Sequence, residues 1–191
     1  MYQKYQTDAL VLGGRESGEN DRVFMLYTRD FGLVRARASA VRTEKSRMRY
    51  SLQNYSRAHV SLVRGKRGWR LAGAMPQTTA LEKDAEGVAA FARIAELVRR
   101  LVQGEEKNEY LFAALAEAHV SLMQERCDAS PTIEIVCVAR ALYALGYLSA
   151  EALETALFTH TAYTGESLLE AETMRDKLLS SINKAISETH L

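Results

Sequence analysis

Leu33-Val34-Arg35-Ala36-Arg37-Ala38-Ser39-Ala40-Val41 is the stretch on which the reading of the fold turns. Val34, Ala36, Ala38 and Ala40 fall on one side of an extended chain, and Arg35, Arg37 and Ser39 on the other. Strict alternation of this kind marks a strand buried on one face only. Working outward, Arg22–Thr28 is rich in aromatic and apolar residues and stops at Arg29-Asp30-Phe31-Gly32, while Asp8–Leu12 is apolar and stops at Gly13-Gly14. On the other side, Ala58–Val63 and Trp69–Ala74 flank Arg64-Gly65-Lys66-Arg67-Gly68, a Gly-bearing turn. Five short strands between Asp8 and Met75, with no long helical period among them, predict a small closed barrel. Closure removes exposed edges, and the five-stranded oligonucleotide-binding barrel (the OB-fold) fits the count.

After Pro76 the period changes. Val88, Phe91, Ile94, Val98 and Leu101 recur at threes and fours until Gly104, and Leu111, Leu115, Ala118 and Leu122 make a second stripe. Ser130-Pro131 places a capping hydroxyl before a proline, predicting a helix through Ile135, Val138, Leu142 and Leu145 that stops at Gly146. Ser149 is expected to cap a short helix to about Phe158, and one last helix from about Gly165 carries Leu168, Leu178, Ile182 and Ile186. The predicted class is α+β: a barrel domain over residues 1–78 and an all-α domain over residues 79–191.

Charge follows the same division. Residues 1–80 hold 15 Lys+Arg against 6 Asp+Glu, a net of +9, and residues 81–191 hold 10 against 18, a net of −8, in a chain whose total is +1. Eleven basic residues and one acidic residue, Glu44, lie between Arg35 and Arg70. Segregation on that scale points to a polyanion partner for the first half. A hydrophobic content of 47% with 26% charged residues argues against global disorder. Met1-Tyr2-Gln3-Lys4-Tyr5 carries no apolar run of a signal peptide, and no segment has about 18 uninterrupted apolar residues, so a cytoplasmic protein with no membrane partner is expected. Cys127 and Cys137 are the only cysteines and sit in helical pattern, which predicts buried thiols rather than a disulfide or a zinc site.

The candidate nucleic-acid-binding residues are Arg35, Arg37, Arg42, Lys45, Arg47, Arg49, Arg64, Lys66 and Arg67. Arg35 and Arg37 point the same way about 7 Å apart along the strand, close to the phosphate spacing of an extended single strand. Arg42, Lys45, Arg47 and Arg49 follow in a connection, and Arg64, Lys66 and Arg67 sit on a turn that can close over the same groove. Tyr50, Tyr55 and Trp69 are interleaved with these charges as candidate stacking platforms, the combination used for single strands. The bland alternative is a solvated basic surface over an aromatic core.

Nothing points to catalysis, and no cofactor or metal is expected. Glu16, Glu19 and Asp21 fall in a turn whose Gly, Asn and Asp have backbone reasons to be there. Gly13, Gly14 and Gly18 lack the terminal Gly-Lys-Ser/Thr of a phosphate loop, His59, His119, His160 and His190 are dispersed, and no serine lies in a Gly-x-Ser-x-Gly context.

Several segments, taken in order, resemble a known family. Thr7-Asp8-Ala9-Leu10-Val11-Leu12, Arg15-Glu16-Ser17-Gly18-Glu19-Asn20-Asp21 and Leu26-Tyr27-Thr28-Arg29-Asp30-Phe31-Gly32 resemble the opening of the RecO family of bacterial recombination mediators. Lys45-Ser46 and Leu52-Gln53-Asn54-Tyr55 look like that family's basic connection and the segment after it, and Arg140-Ala141-Leu142-Tyr143-Ala144-Leu145-Gly146-Tyr147 is similar to its helix ending in Leu-Gly-Tyr. The resemblance implies an OB-fold followed by a helical domain. It also implies single-stranded DNA binding and annealing, and loading of the recombinase onto coated strands in cooperation with a RecR-like protein. Contact with the acidic tail of single-strand-binding protein through the helical domain, and work at the bacterial nucleoid, are implied too. Many relatives carry a four-cysteine zinc module after the Leu-Gly-Tyr helix and a basic tail. This sequence has no cysteine beyond Cys137 and reads as a short member without that module.

The leading expectation is therefore a non-enzymatic DNA repair and recombination mediator. An RNA-binding or ribosome-associated OB-fold module and a protein-interaction adaptor are the alternatives. Arg93, Arg99, Arg100 and Arg140 are candidates for gripping an acidic partner tail from the helical domain, against the plainer reading of surface charges or helix-pair partners.

Overall fold

A computed structural model describes residues 3–43, 46, 48–77, 85–123 and 129–189. Lys45, Arg47 and Cys127 lie outside the described residues. The chain divides into two compact units, Met1–Leu81 with Gln103–Glu109, and Glu82–Val102 with Tyr110–Leu191.

In the first unit, strands β1 (Lys4–Ser17), β2 (Asp21–Thr28), β3 (Gly32–Ala38), β4 (Arg57–Gly65) and β5 (Gly68–Pro76) close into a barrel in the order β1-β2-β3-β5-β4. Helix α1 (Met48–Ser51) precedes β4. Every neighbouring pair is antiparallel except β3 and β5, which run parallel. This is the OB-fold, with the strand number read from the alternation.

The first strand is much longer than the apolar segment Asp8–Leu12 suggests. Lys4–Leu10 pairs with β4, while Ala9–Ser17 pairs with β2 and shifts register between Val11 and Gly13. Gly13-Gly14, expected as a stop, is a bend inside the strand; such a bulge raises the local twist and lets one strand serve two neighbours. The turn into β2 is correspondingly short, and Glu16 lies in β1 opposite Arg22.

Inside the barrel Ala9, Val11, Phe24, Leu26, Val34, Ala36, Ala38, Val60, Leu62 and Leu71 are buried. Their period of two along each strand places alternate residues on the inner face, and each large apolar side chain removed from water contributes about 1.5–3 kcal/mol. Tyr5, Phe31 and Trp69 meet at the same core with ring centroids 5.2–5.6 Å apart.

Along Leu33–Val41 the predicted alternation holds only to Ala38. Ala40, expected on the buried face, is exposed at φ 53°. Its N–H donates to Asp21 Oδ1 at 2.9 Å, and the Arg42 N–H donates to the Asn20 carbonyl at 3.1 Å. A side-chain acceptor replaces the strand ladder here and turns the chain back onto the β1–β2 turn.

The second unit is helical: α2 (Ala85–Leu101), α3 (Glu109–Leu122), α4 (Ser130–Ala144), α5 (Ala150–Leu153), α6 (Gly165–Thr173) and α7 (Arg175–Glu188). Its core gathers Val136, Ala139 and Leu142 of α4 with Leu157, Phe158, Ala171, Leu178, Ile182 and Ala185. Gly146, at φ 81°, stops α4 as expected. Its N–H reaches the Tyr143 carbonyl and the Tyr147 N–H the Leu142 carbonyl, the paired bonds of a Schellman ending. Three readings need correction. The short helix expected to run to about Phe158 ends at Leu153. Ser130 is a buried first residue of α4 rather than its cap, which is Ala129 without a side-chain bond. The single terminal helix is two helices, because Met174 leaves helical geometry between α6 and α7. Apolar periodicity continues across that break, so the pattern alone runs them together. No helix among the described residues is long and apolar enough to cross a membrane.

Candidate nucleic-acid interface

Parallel pairing of β3 with β5 puts Arg37 directly opposite Arg70, and Ala36 opposite Trp69. Strand alternation aims Trp69 and Ala36 inward and both arginines outward. Two like charges facing each other across a ladder repel, and one carboxylate, Asp21, stands beside them. Asp21 Oδ2 accepts from Arg37 Nε at 2.9 Å and Nη2 at 2.7 Å, while Oδ1 takes the Ala40 N–H. The Ala40 N–H and the Arg37 guanidinium together hold the Asp21 carboxyl below its ordinary value.

Above this seam lies a cleft of about 420 Å³ lined by Asp21, Arg37, Ser39, Val63, Gly65, Lys66, Arg67, Gly68, Trp69 and Arg70. Four cations and one carboxylate line it. The carboxylate is committed to Arg37 and Ala40, so the field in the cleft is set by Lys66, Arg67 and Arg70, all exposed. The cleft is built from the β4–β5 hairpin, Arg37 and Ser39 at the end of β3, and the first residue of β2, beside the turns between strands 1–2 and 4–5. That is where an OB-fold takes oligonucleotides.

The structure sorts the predicted residues. Arg37, Lys66 and Arg67 line the cleft, and Arg70, which the sequence reading left out of the candidates, joins them. Its signal was present in the alternation that puts Trp69 in and Arg70 out. Its register opposite Arg37 was not, because parallel pairing joins strands distant in sequence. Arg35 is exposed on the same face of β3, outside the cleft lining. Arg42 turns toward the β1–β2 turn and pairs with Glu16 at 3.1 Å. Arg49, on α1, donates to the Tyr50 hydroxyl at 2.9 Å with its guanidinium 5.0 Å from the ring centroid. Arg64 stands at the rim, 5.1 Å over the Trp69 ring, and pairs with Glu105 at 3.3 Å.

The aromatics separate by burial. Tyr50 is 64% exposed and offers a ring for stacking. Tyr55 is half-buried at φ 63°, and its N–H donates to the Val11 carbonyl at 2.8 Å, so it turns the chain onto β1. Trp69 is corrected from platform to core: it is 4% exposed and packs edge-on against Tyr5.

Of the helical arginines, Arg93 forms a two-pronged pair with Glu134 at 2.7 and 2.6 Å, and Arg99 pairs with Glu96 one turn away. Arg100 is exposed, with no carboxylate within ion-pair distance among the described residues. Arg140 is corrected from surface grip to core. It is 0% exposed and donates to the carbonyls of Leu157, Thr161 and Ala162 at 2.9, 2.8 and 3.1 Å. Its guanidinium lies 4.6 Å from the Tyr163 ring centroid. Burial pushes the neighbouring Cys137 thiol up to about 12, which keeps it protonated and inert. A four-thiolate zinc module does not fit a chain with two cysteines.

Residues 1–72 match the family described as "Recombination protein O N terminal". The barrel of this chain is of the RecO type. Proteins named DNA repair protein RecO are similar as well, some over longer spans. The one from Pelotomaculum thermopropionicum is 33% identical over 115 residues, which are 59% of this chain and 45% of the relative. The one from Myxococcus xanthus is 32% identical over 133 residues, 68% of this chain and 54% of the relative. The one from Desulfitobacterium hafniense is 44% identical over 62 residues, 32% of this chain and 23% of the relative. At most, the chain spans about half the length of these relatives. The RecO-type barrel is thus the shared part that carries the cleft.

Proposed function

We propose that the cleft of the RecO-type barrel holds the backbone of single-stranded DNA, and that the chain works without catalysis as a DNA repair and recombination mediator. The observation that carries this is the cleft at the β3–β5 seam, where, among the described residues, Lys66, Arg67 and Arg70 stand with no carboxylate free to neutralise them. The names of the relatives place the same barrel in DNA repair proteins. In this reading the protein binds and anneals single strands in the cytoplasm at the nucleoid, and helps load the recombinase onto coated strands. A RecR-like protein and the acidic tail of single-strand-binding protein are its partners. Arg100, exposed on α2, is the best-placed of the proposed partner-binding arginines, because Arg93 and Arg99 already hold carboxylates.

Phosphate contacts position a strand and carry no sequence information. Binding of a labelled oligothymidylate should therefore be matched by other single-stranded sequences. If about five phosphates are neutralised, log affinity falls against log salt with a slope near about −3.5. A salt-insensitive affinity, or preference for matched RNA in competition, would sink the DNA reading. Complementary strands coated with single-strand-binding protein should anneal faster in its presence, and magnesium should produce no cleavage.

A further inference from the structure

The segment Gln103–Glu109 belongs to the barrel unit although α2 separates it from the strands in sequence. It lies against the β2–β3 turn so closely that a Cβ on Gly32 would stand 2.1 Å from the Glu106 carbonyl oxygen. Gly32 is at φ 61°, a conformation that costs glycine nothing. Lys107 lies within electrostatic reach of Asp30, and Glu109, paired with Lys107 at 2.6 Å, feels both Asp30 and Arg29. From that position Glu105 reaches Arg64, Nη1 to Oε2 at 3.3 Å.

The two carboxylates that meet the basic rim do different work. Asp21 gives one oxygen to the Ala40 N–H and the other to Arg37, so it holds the end of β3 in place. Glu105, among the described residues, engages Arg64 alone, and both side chains are open to solvent, 39% and 63% exposed. An exposed pair of this kind is worth well under the energy of a phosphate contact plus its released counterions. Arg64 also keeps a second support when Glu105 lets go, since its guanidinium rests over the Trp69 ring.

We propose that Gln103–Glu109 is an acidic strap that competes with nucleic-acid phosphate for Arg64. Glu105 occupies the guanidinium in the empty barrel, and a phosphate of the bound strand takes its place. The strap lowers affinity for short or weakly held polyanions and yields to a strand that fills the cleft. This rests on the cleft being the single-strand site, and it names the internal competitor at that site's rim.

The test uses the full chain and anisotropy of a fluorescein-labelled oligothymidylate at physiological salt. Glu105→Gln should tighten binding about two- to five-fold, the range for freeing one exposed ion pair. Glu106→Gln makes the same change in net charge one residue away and should have a clearly smaller effect. In an Arg64→Ala background Glu105→Gln should do nothing. Equal gains from Glu105→Gln and Glu106→Gln, or a gain that survives Arg64→Ala, would overturn the strap while leaving the cleft intact. No binding by the unaltered chain would overturn the strap and the reading of the cleft together.

Discussion

Arg70 in the barrel unit and Arg140 in the helical unit are the same side chain in opposite circumstances. Arg70 is exposed at the mouth of a cleft beside Lys66 and Arg67, facing Arg37 across the β3–β5 seam. Arg140 is wholly internal, with three backbone carbonyls at its donors and the Tyr163 ring beneath its plane. An arginine whose three nitrogens each donate inside its own unit closes a loop; the bonds to residues 157–162 tie an irregular segment to α4. An arginine that stands among other cations, with no carboxylate partner among the described residues, has no internal task of that kind and offers its field to an anion. Counting basic residues treats the two alike, and only the positions of their acceptors tell them apart.

That contrast breaks most clearly at Arg140. Replacing it with alanine leaves one buried and two part-buried carbonyls without their donor and a cavity beside Tyr163, a loss of about 2–4 kcal/mol of stability. Urea unfolding should show the drop, while the fraction still folded binds single-stranded DNA with unchanged affinity. If Arg140→Ala instead left stability intact and reduced binding, the division between the two kinds of arginine would be wrong.

The converse substitution is at the cleft. Lys66, Arg67 and Arg70 changed together to alanine should weaken single-strand binding on the order of 10–100-fold and make the salt slope shallower by about 2. The unfolding midpoint should shift by no more than about 0.5 kcal/mol, as for other exposed surface changes. A large loss of stability here would mean that these cations hold the hairpin rather than serve a ligand.

A smaller effect sharpens the role of the lone carboxylate in the cleft. The hydrogen bond from Ala40, then that from Arg37, lowers the Asp21 carboxyl from its ordinary value. Its contribution is therefore complete at neutral pH and is lost as pH falls below the ordinary aspartate range through the depressed folded value. Asp21→Asn should lower the urea midpoint at neutral pH, and the difference from the unaltered chain should vanish in acid. A difference that persisted at low pH would assign Asp21 a role other than holding Ala40 and Arg37.

The sequence by itself determined the elements whose signals are local. Alternation over Leu33–Ala38 marks a half-buried strand because successive side chains on extended backbone face opposite ways. Threes and fours after Pro76 mark helices for the analogous reason, and Gly146 marks a helix end because only a residue at ease with positive φ closes it so cheaply. The segregation of charge to the first half is a matter of composition, and it pointed to the unit that holds the cleft.

Tertiary structure decided everything that depends on residues far apart in the chain. Parallel pairing of β3 with β5 brought Arg70 to Arg37 and left Trp69 inside with Tyr5 and Phe31. The fold also chose which cations are already answered: Arg37 by Asp21, Arg42 by Glu16, Arg64 by Glu105. It took Arg140 out of solvent altogether. Backbone geometry imposes a period on neighbouring residues, so pattern reveals which face a side chain takes. The carboxylate or carbonyl it meets depends on through-space distance once the barrel is closed and the helices are packed, and sequence spacing carries no such distance.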